Sequence, residues 1–314
     1  CTVIPRPLCR CRICNQARSN GPPYSRSGPS IFIHEADLLV DTPAEICSQL
    51  NRWGIQNVQN LMLTHLDPDH LEGFRVVEHI ALDFRTWKAR QGIQIHLFLP
   101  RDLIDPLRRV RTQYGSQLDF YENSGFVRCI PFDGNVMINE FRITALPVDR
   151  QDQTVFIYVF EKEGVRMVYA PCDIKPFPEH RPETHDADCL LIQPGMFEKD
   201  LSDGFSFPED HISRSTLYTF TETLALARRI HARQVVFVHL EEYWNRSYDD
   251  YTALEQKMRQ VRFAFDGMKF NLNPKPKHAL KRRTHEFERP TGRFICSADP
   301  GRHHRYSPGG SDPT

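Results

Sequence analysis

Four side chains able to bind a metal ion crowd into one short segment, Thr64-His65-Leu66-Asp67-Pro68-Asp69-His70. The segment directly follows an apolar run, Leu61-Met62-Leu63, that reads as a strand. A strand that ends in a loop of His and Asp commonly builds a metal site, because alternate side chains converge where the backbone reverses. The alternative is an ordinary solvated loop, in which Asp and His are also common. The spacing therefore indicates a candidate metal-binding loop whose remaining ligands must come from elsewhere.

Three other predicted strands also end in Asp or His. Asp149 follows a strand predicted at residues 141–146, Asp173 follows one at 165–169, and His239 ends one at 235–238. Sheets bury their middles and expose their ends, so polar groups at neighbouring strand ends can meet in one cleft. The recurrence favours one shared site over four unrelated loops.

The elements that must position these residues alternate between strands and helices. Strands are predicted at residues 30–33, 38–41, 61–64, 93–99, 127–131, 136–138, 141–146, 155–161, 165–169, 188–192 and 235–238. Helices are predicted at 44–53, 71–90, 102–114, 221–231 and 251–259, a closing hairpin at 261–272, and an irregular loop at 1–29. Strands, then helices, then strands again suggest an α/β (α+β) fold of two packed sheets with helices outside.

Composition limits the classes of protein to which the chain can belong. Its 314 residues are 40% hydrophobic and carry no formal net charge, which disfavours a nucleic-acid or anionic-membrane binder that relies on a basic surface. No apolar run approaches the roughly 20 residues of a membrane span, and no signal peptide is recognisable. We expect a cytoplasmic protein with one domain at 1–273 and a disordered basic, Pro/Gly-rich tail at 274–314. The start at Cys1 suggests a fragment or a processed product.

The cysteines do not form a disulfide framework, because nine is an odd number and most are scattered. Three of them lie together as Cys9-Arg10-Cys11-Arg12-Ile13-Cys14, a spacing that suits thiolate ligation of a metal in a reducing compartment. Unliganded thiols are the alternative. The sequence contexts of the other internal cysteines predict plain core residues: Cys47, Cys129, Cys172 and Cys189.

With these residues in view, the chain resembles the metallo-β-lactamase superfamily, whose signature is His-x-His-x-Asp-His after a strand. Within it, the sequence looks most like the phosphoribosyl cyclic phosphodiesterases of phosphonate breakdown and their relatives. Three features carry this resemblance over residues 5–272: Cys9-x-Cys11-x-x-Cys14, the segment 64–70, and the ending Phe263-Ala264-Phe265-Asp266-Gly267-Met268. The resemblance implies an αββα sandwich of two mixed sheets, with a first strand expected before Cys1.

The resemblance also implies a site with two divalent metal ions, which could be zinc, manganese or iron. One ion would take His65, Asp67 and Asp149. The other would take Asp69, His70 and His239, and Asp173 would bridge the two. Asp69 and His211 are the predicted catalytic residues, with His211 as the acid that protonates the leaving oxygen; a surface histidine is the alternative. A structural zinc at the cysteine cluster would need a fourth ligand, for which Glu242 stands where the family has His.

Two departures from the family pattern affect the predicted chemistry. Asp67 and Asp149 stand where the family usually has His, so the predicted ligand set holds four carboxylates and three imidazoles. Four negative charges would balance two divalent ions, which favours harder ions such as iron or manganese. A degenerate site is the alternative to a retuned one.

The first functional interpretation is a metal-dependent hydrolase, acting on a small phosphodiester or related ester through a metal-bridged hydroxide. The alternatives are an iron-dependent oxidoreductase of the same fold and a non-catalytic metal-binding scaffold. Nucleic acid is a disfavoured substrate because no basic groove is recognisable. No membrane partner is expected. A homodimer is a possible assembly.

Overall fold

The computed structural model describes residues 3–151 and 153–272, together with the backbone of residues 294 and 295. The predicted tail at 274–314 therefore lies outside the described residues, apart from that backbone. In chain order the strands are β1 (Ile31–Ile33), β2 (Leu38–Val40), β3 (Asn60–Met62), β4 (Leu82–Asp83), β5 (Lys88–Ala89), β6 (Ile95–Pro100), β7 (Arg111–Thr112), β8 (Gly115–Ser116), β9 (Val127–Phe132), β10 (Asn135–Ile138), β11 (Phe141–Pro147), β12 (Phe156–Lys162), β13 (Val165–Ala170), β14 (Cys189–Ile192), β15 (Val235–Phe237), β16 (Val261–Phe263), β17 (Lys269–Phe270) and β18 (Phe294–Ile295).

The helices surround these strands, and four of the nine in the described residues begin at a residue whose side chain caps them. They are α1 (Arg12–Asn20), α2 (Ile46–Arg52), α3 (Pro68–Leu71), α4 (Val76–Ala81), α5 (Arg101–Arg109), α6 (Gln117–Asn123), α7 (Ser213–Thr216), α8 (Phe220–Arg229) and α9 (Tyr248–Lys257). Thr219 and Ser247 form capping boxes at α8 and α9, in which each hydroxyl accepts a backbone N–H three residues on. Among the described residues, we find no helix with both the length and the apolar character to cross a membrane.

Two mixed sheets form the centre of the fold. One has the strand order β1-β2-β3-β6-β9, and the other has β10-β11-β12-β13-β14-β15-β16. Strand β3 pairs in parallel with β2 and β6, and β13, β14 and β15 are parallel to one another. The prediction of two packed mixed sheets with outer helices is confirmed.

The alternation of side chains along each strand builds two apolar layers. On β12, Tyr158 faces the core between the sheets, whereas Ile157 and Val159 face the opposite side. The opposite side is covered by α8 and α9, which contribute Leu226 and Tyr251 to the second core. The seven-stranded sheet is therefore buried on both faces, and its polar groups are left to the strand ends.

Four local predictions were wrong, one of them the helix predicted at 102–114, which ends at Arg109 and is followed by β7. Residues 12–20 form α1, although the whole of 1–29 was predicted to be an irregular loop. The helix predicted at 71–90 ends at Ala81 and is followed by the small hairpin of β4 and β5. The predicted closing hairpin does not form, because β16 pairs in parallel with β15 while β17 pairs with β18. Contacts between distant segments set the pairing of β16, whereas α1 and the hairpin of β4 and β5 are local structures.

The carboxyl ends of several strands meet at one edge, where the two sheets are joined by hydrogen bonds. The Phe156 backbone N–H donates to the Thr64 carbonyl at 2.9 Å, and the Tyr158 hydroxyl donates to the Leu63 carbonyl at 2.6 Å. Both bonds fix the loop after β3 against the seven-stranded sheet. That loop is the His/Asp segment, so the sheet packing holds it at the ends of β13 and β15.

Candidate metal centre

Two buried imidazoles form the centre of the site. His65 is 1% exposed and His70 is fully buried, and their ring centroids lie 4.1 Å apart. Burial, followed by the neighbouring His70 ring, lowers the pKa of His65 well below its ordinary value. Two buried imidazole rings this close together are arranged as metal ligands rather than as surface groups.

The Nδ1 atoms of both rings are held by neighbouring side chains. The Thr64 hydroxyl lies 2.9 Å from Nδ1 of His65, and a carboxylate oxygen of Asp41 lies 2.9 Å from Nδ1 of His70. Asp41 is fully buried, and it also accepts the Thr64 backbone N–H at 2.7 Å and the Thr64 hydroxyl at 2.8 Å. These bonds fix the ring orientations and leave Nε2 of each ring toward the cleft, as the hydrogen-bond partners of metal-binding histidines do.

The potential ligand atoms of the cleft fall into overlapping groups of three, each with its atoms within 4.8 Å of one another. Two groups match the predicted division between two ions, apart from Asp149. They are His65 with Asp67 and Asp173, and Asp69 with His70 and His239.

Asp69 and His239 form a close pair between the loops that follow β3 and β15. Nε2 of His239 lies 3.0 Å from Asp69, whose carboxylate is also 3.5 Å from Nε2 of His70. Burial alone would raise the pKa of Asp69, but the hydrogen bond to His239 and the charges of the two imidazoles outweigh it and hold that pKa well below the ordinary range. Asp69 is therefore a carboxylate at neutral pH, as a metal ligand must be.

Asp67 lies nearer the mouth of the cleft. Its side chain is 43% exposed and lies 3.8 Å from Nε2 of His65. Asp67 is the N-cap residue of α3, but its carboxylate makes no capping bond, so it stays free to face the cleft. Burial, and then the charges of Asp173 and Asp69, raise its pKa. A cation among these three carboxylates would relieve their repulsion.

The backbone at three of these positions is left-handed. Asp41, Asp173 and His239 have φ angles of 65°, 52° and 59°. Asp and His tolerate this conformation better than most non-glycine residues, but it still costs free energy. The packed strands before them must hold these loops in place.

The structure does not place Asp149 with the other predicted ligands. Its side chain is exposed, and it belongs to none of the groups of potential ligands in the described residues. The reason is the alternation along the end of β11: Pro147 and Asp149 point outward, while Val148 is buried and Arg150 turns inward. The Arg150 side chain is 5% exposed, and its Nη1 lies 3.5 Å from a carboxylate oxygen of Asp173.

Cys172 is a site residue that the sequence prediction missed by assigning it to the core. Its sulfur lies 3.4 Å from Nε2 of His65 and 3.2 Å from Nε2 of His70. Burial, and then the charge of Asp173, raise the pKa of this thiol well above its ordinary value. Its position directly before a predicted ligand was the available signal.

The residues present fit a divalent metal ion. Two imidazole Nε2 atoms lie beside the same sulfur, while their Nδ1 atoms are bonded elsewhere, and three carboxylates stand around them. Such a convergence of lone pairs in a buried place is stabilised by a shared cation. The set mixes imidazole, carboxylate and thiol, so softness alone does not select one metal.

His211 lies among aromatic rings. Its centroid is 5.0 Å from that of Phe207 and 6.3 Å from that of Phe205, and these rings approach Trp244 and Tyr243 respectively. The Ser213 backbone N–H donates to Nδ1 of His211 at 3.2 Å, so the neutral ring carries its proton on Nε2. His211 belongs to none of the groups of potential ligands, which suits a role other than metal binding.

The three cysteines of the N-terminal cluster also come together. The sulfur atoms of Cys9, Cys11 and Cys14 lie within 4.8 Å of one another at the start of α1. Burial raises the pKa of the Cys14 thiol to about 12, so a bound cation would be needed to hold it as thiolate. Glu242, the predicted fourth ligand, is buried but pairs with Arg6 at 2.5 Å, and Arg6 also donates its backbone N–H to Cys14. Glu242 therefore borders the cluster through Arg6 rather than joining the group.

The family follows from comparison with known domains. Residues 37–240, which include His65 through His239, match the family model described as the beta-lactamase superfamily domain. The chain belongs to this superfamily, as its sequence motif predicted.

Solved structures with the same fold include three of stated chemistry. A diphosphatase of the PhnP family has a TM-score of 0.61 at 17% identity, covering 87% of this chain and 97% of that one. Zinc-bound PqqB from Methylobacterium extorquens has a TM-score of 0.63 at 18% identity, covering 86% and 96%. Human tRNase Z, short form, has a TM-score of 0.50 at 15% identity, covering 78% and 92%. No curated protein matches the chain. At these identities the likeness establishes the fold.

Proposed function

We propose that this protein is a metal-dependent hydrolase that cleaves a phosphodiester or a related ester. The observation that carries the proposal is the pair of groups of potential ligands, His65 with Asp67 and Asp173, and Asp69 with His70 and His239, which lie side by side at one sheet edge. Divalent ions bound there would supply Lewis acidity and activate water for attack at phosphorus. The fold shared with a PhnP-family diphosphatase and with tRNase Z supports this reaction class.

The chain's own residues have distinct tasks in this scheme. Asp41 and Thr64 orient the two central imidazoles through their Nδ1 atoms. Asp173 belongs to the first group of potential ligands and also contacts the Arg150 guanidinium, so it links that group to a positive charge. The partly exposed Asp67 marks the side from which a substrate enters.

His211 is the proposed general acid. In the imidazolium form, reached when Nδ1 takes up a proton in place of its contact with the Ser213 N–H, Nε2 holds the transferable proton and the ring returns to neutral on donating it. The surrounding Phe205 and Phe207 rings restrict how the imidazole can turn. Donation of this proton to the leaving oxygen is a task for which imidazole is suited near neutral pH.

Hydrolysis of bis(4-nitrophenyl) phosphate in the presence of added manganese or zinc tests the proposal. The protein should hydrolyse this diester when the ion is added, and a chelator that removes the ion should abolish the activity. Asp173→Asn should lower the rate of turnover by more than about a hundredfold, which exceeds the effect of losing a hydrogen-bond partner of a ligand. Asp186→Asn is the matched control, because Asp186 shares the left-handed backbone (φ 53°) but lies on the surface. Absence of metal-dependent turnover, or equal rates for both variants, would reject the hydrolase.

The iron-dependent oxidoreductase is a weaker candidate than the sequence suggested. It was favoured by a predicted ligand set with four carboxylates, and three of those four, Asp67, Asp69 and Asp173, belong to the groups of potential ligands. Oxygen uptake by iron-loaded protein without phosphodiester turnover would nevertheless select it. Metal binding with neither activity would select the scaffold.

A further inference from the structure

Arg150 stands where a metal ligand was predicted. The two groups of potential ligands define two metal subsites, the first around Asp173 and the second around Asp69. We propose that the Arg150 guanidinium is a fixed positive charge at the first subsite. That subsite then binds its ion more weakly than the other, and the guanidinium anchors an anionic substrate. The substrate half of this inference rests on the proposed function; the metal half does not.

The local backbone fixes this arrangement. The Val148 N–H donates to the Val155 carbonyl, and the Arg150 N–H donates to the Val148 carbonyl, both at 2.9 Å. The second bond closes a tight turn over residues 148–150, which leaves Asp149 exposed and the Arg150 side chain only 5% exposed. The Asp149 side chain could turn toward the cleft in place of Arg150 only if these bonds were broken.

The two subsites differ in what surrounds their carboxylates. Asp173 of the first group faces Arg150 at 3.5 Å. Asp69 of the second group instead contacts Nε2 of His239 and of His70, atoms that can themselves bind the same ion. A guanidinium stays charged at every accessible pH, so it competes with a divalent ion for Asp173 and repels it. The loss of Asp149 also removes one ligand from that group. Both effects weaken the first subsite.

The same charge suits an anionic substrate. A guanidinium presents its N–H donors as a planar fork that matches two oxygens of a phosphate group. A phosphodiester bound to the ion of the tighter subsite could place its other oxygen against Arg150. The substrate class inferred is therefore a phosphodiester monoanion.

The metal half is tested without substrate, by equilibrium dialysis against buffered free zinc with ion counting by mass spectrometry. Arg150→Gln and Arg150→Met should bind the weaker active-site ion about 10–100-fold more tightly than the unmodified protein. Met keeps the apolar stem if the amide fails to fold. Arg229→Gln is the control, since Arg229 also pairs with a carboxylate, that of Glu179, but at the surface. Any ion at the cysteine cluster is common to all variants and cancels. Identical titrations of the unmodified protein and both variants would overturn the inference.

The substrate half uses Arg150→Lys, which keeps the charge but not the fork. Its zinc titration should match the unmodified protein, while KM for bis(4-nitrophenyl) phosphate rises about tenfold with kcat little changed. An unchanged KM would refute the anchoring role. If the unmodified protein hydrolyses no diester, the hydrolase proposal and the anchoring role fail together, and the dialysis result still decides whether the subsites are unequal.

Discussion

Asp41→Asn should destabilise the protein and weaken its metal site together. Asp41 is fully buried and accepts three short bonds, from the Thr64 N–H, the Thr64 hydroxyl and Nδ1 of His70, at 2.7–2.9 Å. Bonds to a charged partner contribute about 1.5–3 kcal/mol each and neutral ones about 0.5–1.5, so neutralising the acceptor costs about 3 kcal/mol in all. For a domain of this size that lowers Tm by about 6–12 °C.

Thermal unfolding followed by circular dichroism, without metal and with added zinc, measures both effects. Because His70 loses the partner that orients its ring, zinc affinity should also fall by about 10–100-fold. Asp133→Asn is the control, because Asp133 pairs with Arg101 at the surface, where it is 72% exposed, and neutralising it should change stability little. An Asp41→Asn protein that melts within about 2 °C of the unmodified protein and binds zinc equally would refute this reasoning.

Four further results are expected. Burial raises the pKa of Asp266, so this carboxyl binds its proton more tightly in the folded protein than in the unfolded chain. The unmodified protein should therefore lose stability as pH rises above about 4, and Asp266→Asn should not. Tm measured against pH for both proteins tests this. A thiol-blocking reagent should release zinc from the cysteine cluster, and a colorimetric assay measures that release. Cys14→Ser should release none, whereas Cys47→Ser should release as much as the unmodified protein. Cys172→Ala should lower cadmium affinity by at least about tenfold while leaving manganese affinity little changed in competition titrations, since only the soft ion depends on sulfur. His211→Gln should lower kcat on the model diester by about 10²–10⁴-fold with unchanged metal content, and a normal kcat would remove His211 from the mechanism.

Much of the fold could be predicted because its strands are short apolar runs separated by Gly, Pro and charged residues. β12 and β13, which flank the turn at Gly164, are an example. α1 escaped prediction because only Ile13, Cys14 and Ala17 are buried in it, too few to give a helical period. The pairing of β16 with β15 depends on contacts between distant segments that no local pattern reveals.

At the candidate site, the residue types were informative but the direction of each side chain was not. His65, Asp69 and His70 come from one loop whose turn into α3 makes them converge. At the end of β11, a one-residue difference in parity decides whether Asp149 or Arg150 reaches the cleft. Single residues beyond a strand end carry too little periodicity for that choice to be read from sequence.

The left-handed backbone at Asp41, Asp173 and His239 determines how this centre could be lost over evolution. Glycine adopts that conformation without steric cost, whereas other residues there bear of order 1 kcal/mol or more. At Asp41 the lost hydrogen bonds would outweigh that gain, so the stability of the fold itself favours the aspartate. At Asp173 and His239 a mutation to glycine would recover backbone free energy in the same step that removes a ligand, so these two residues depend on selection for what their side chains do.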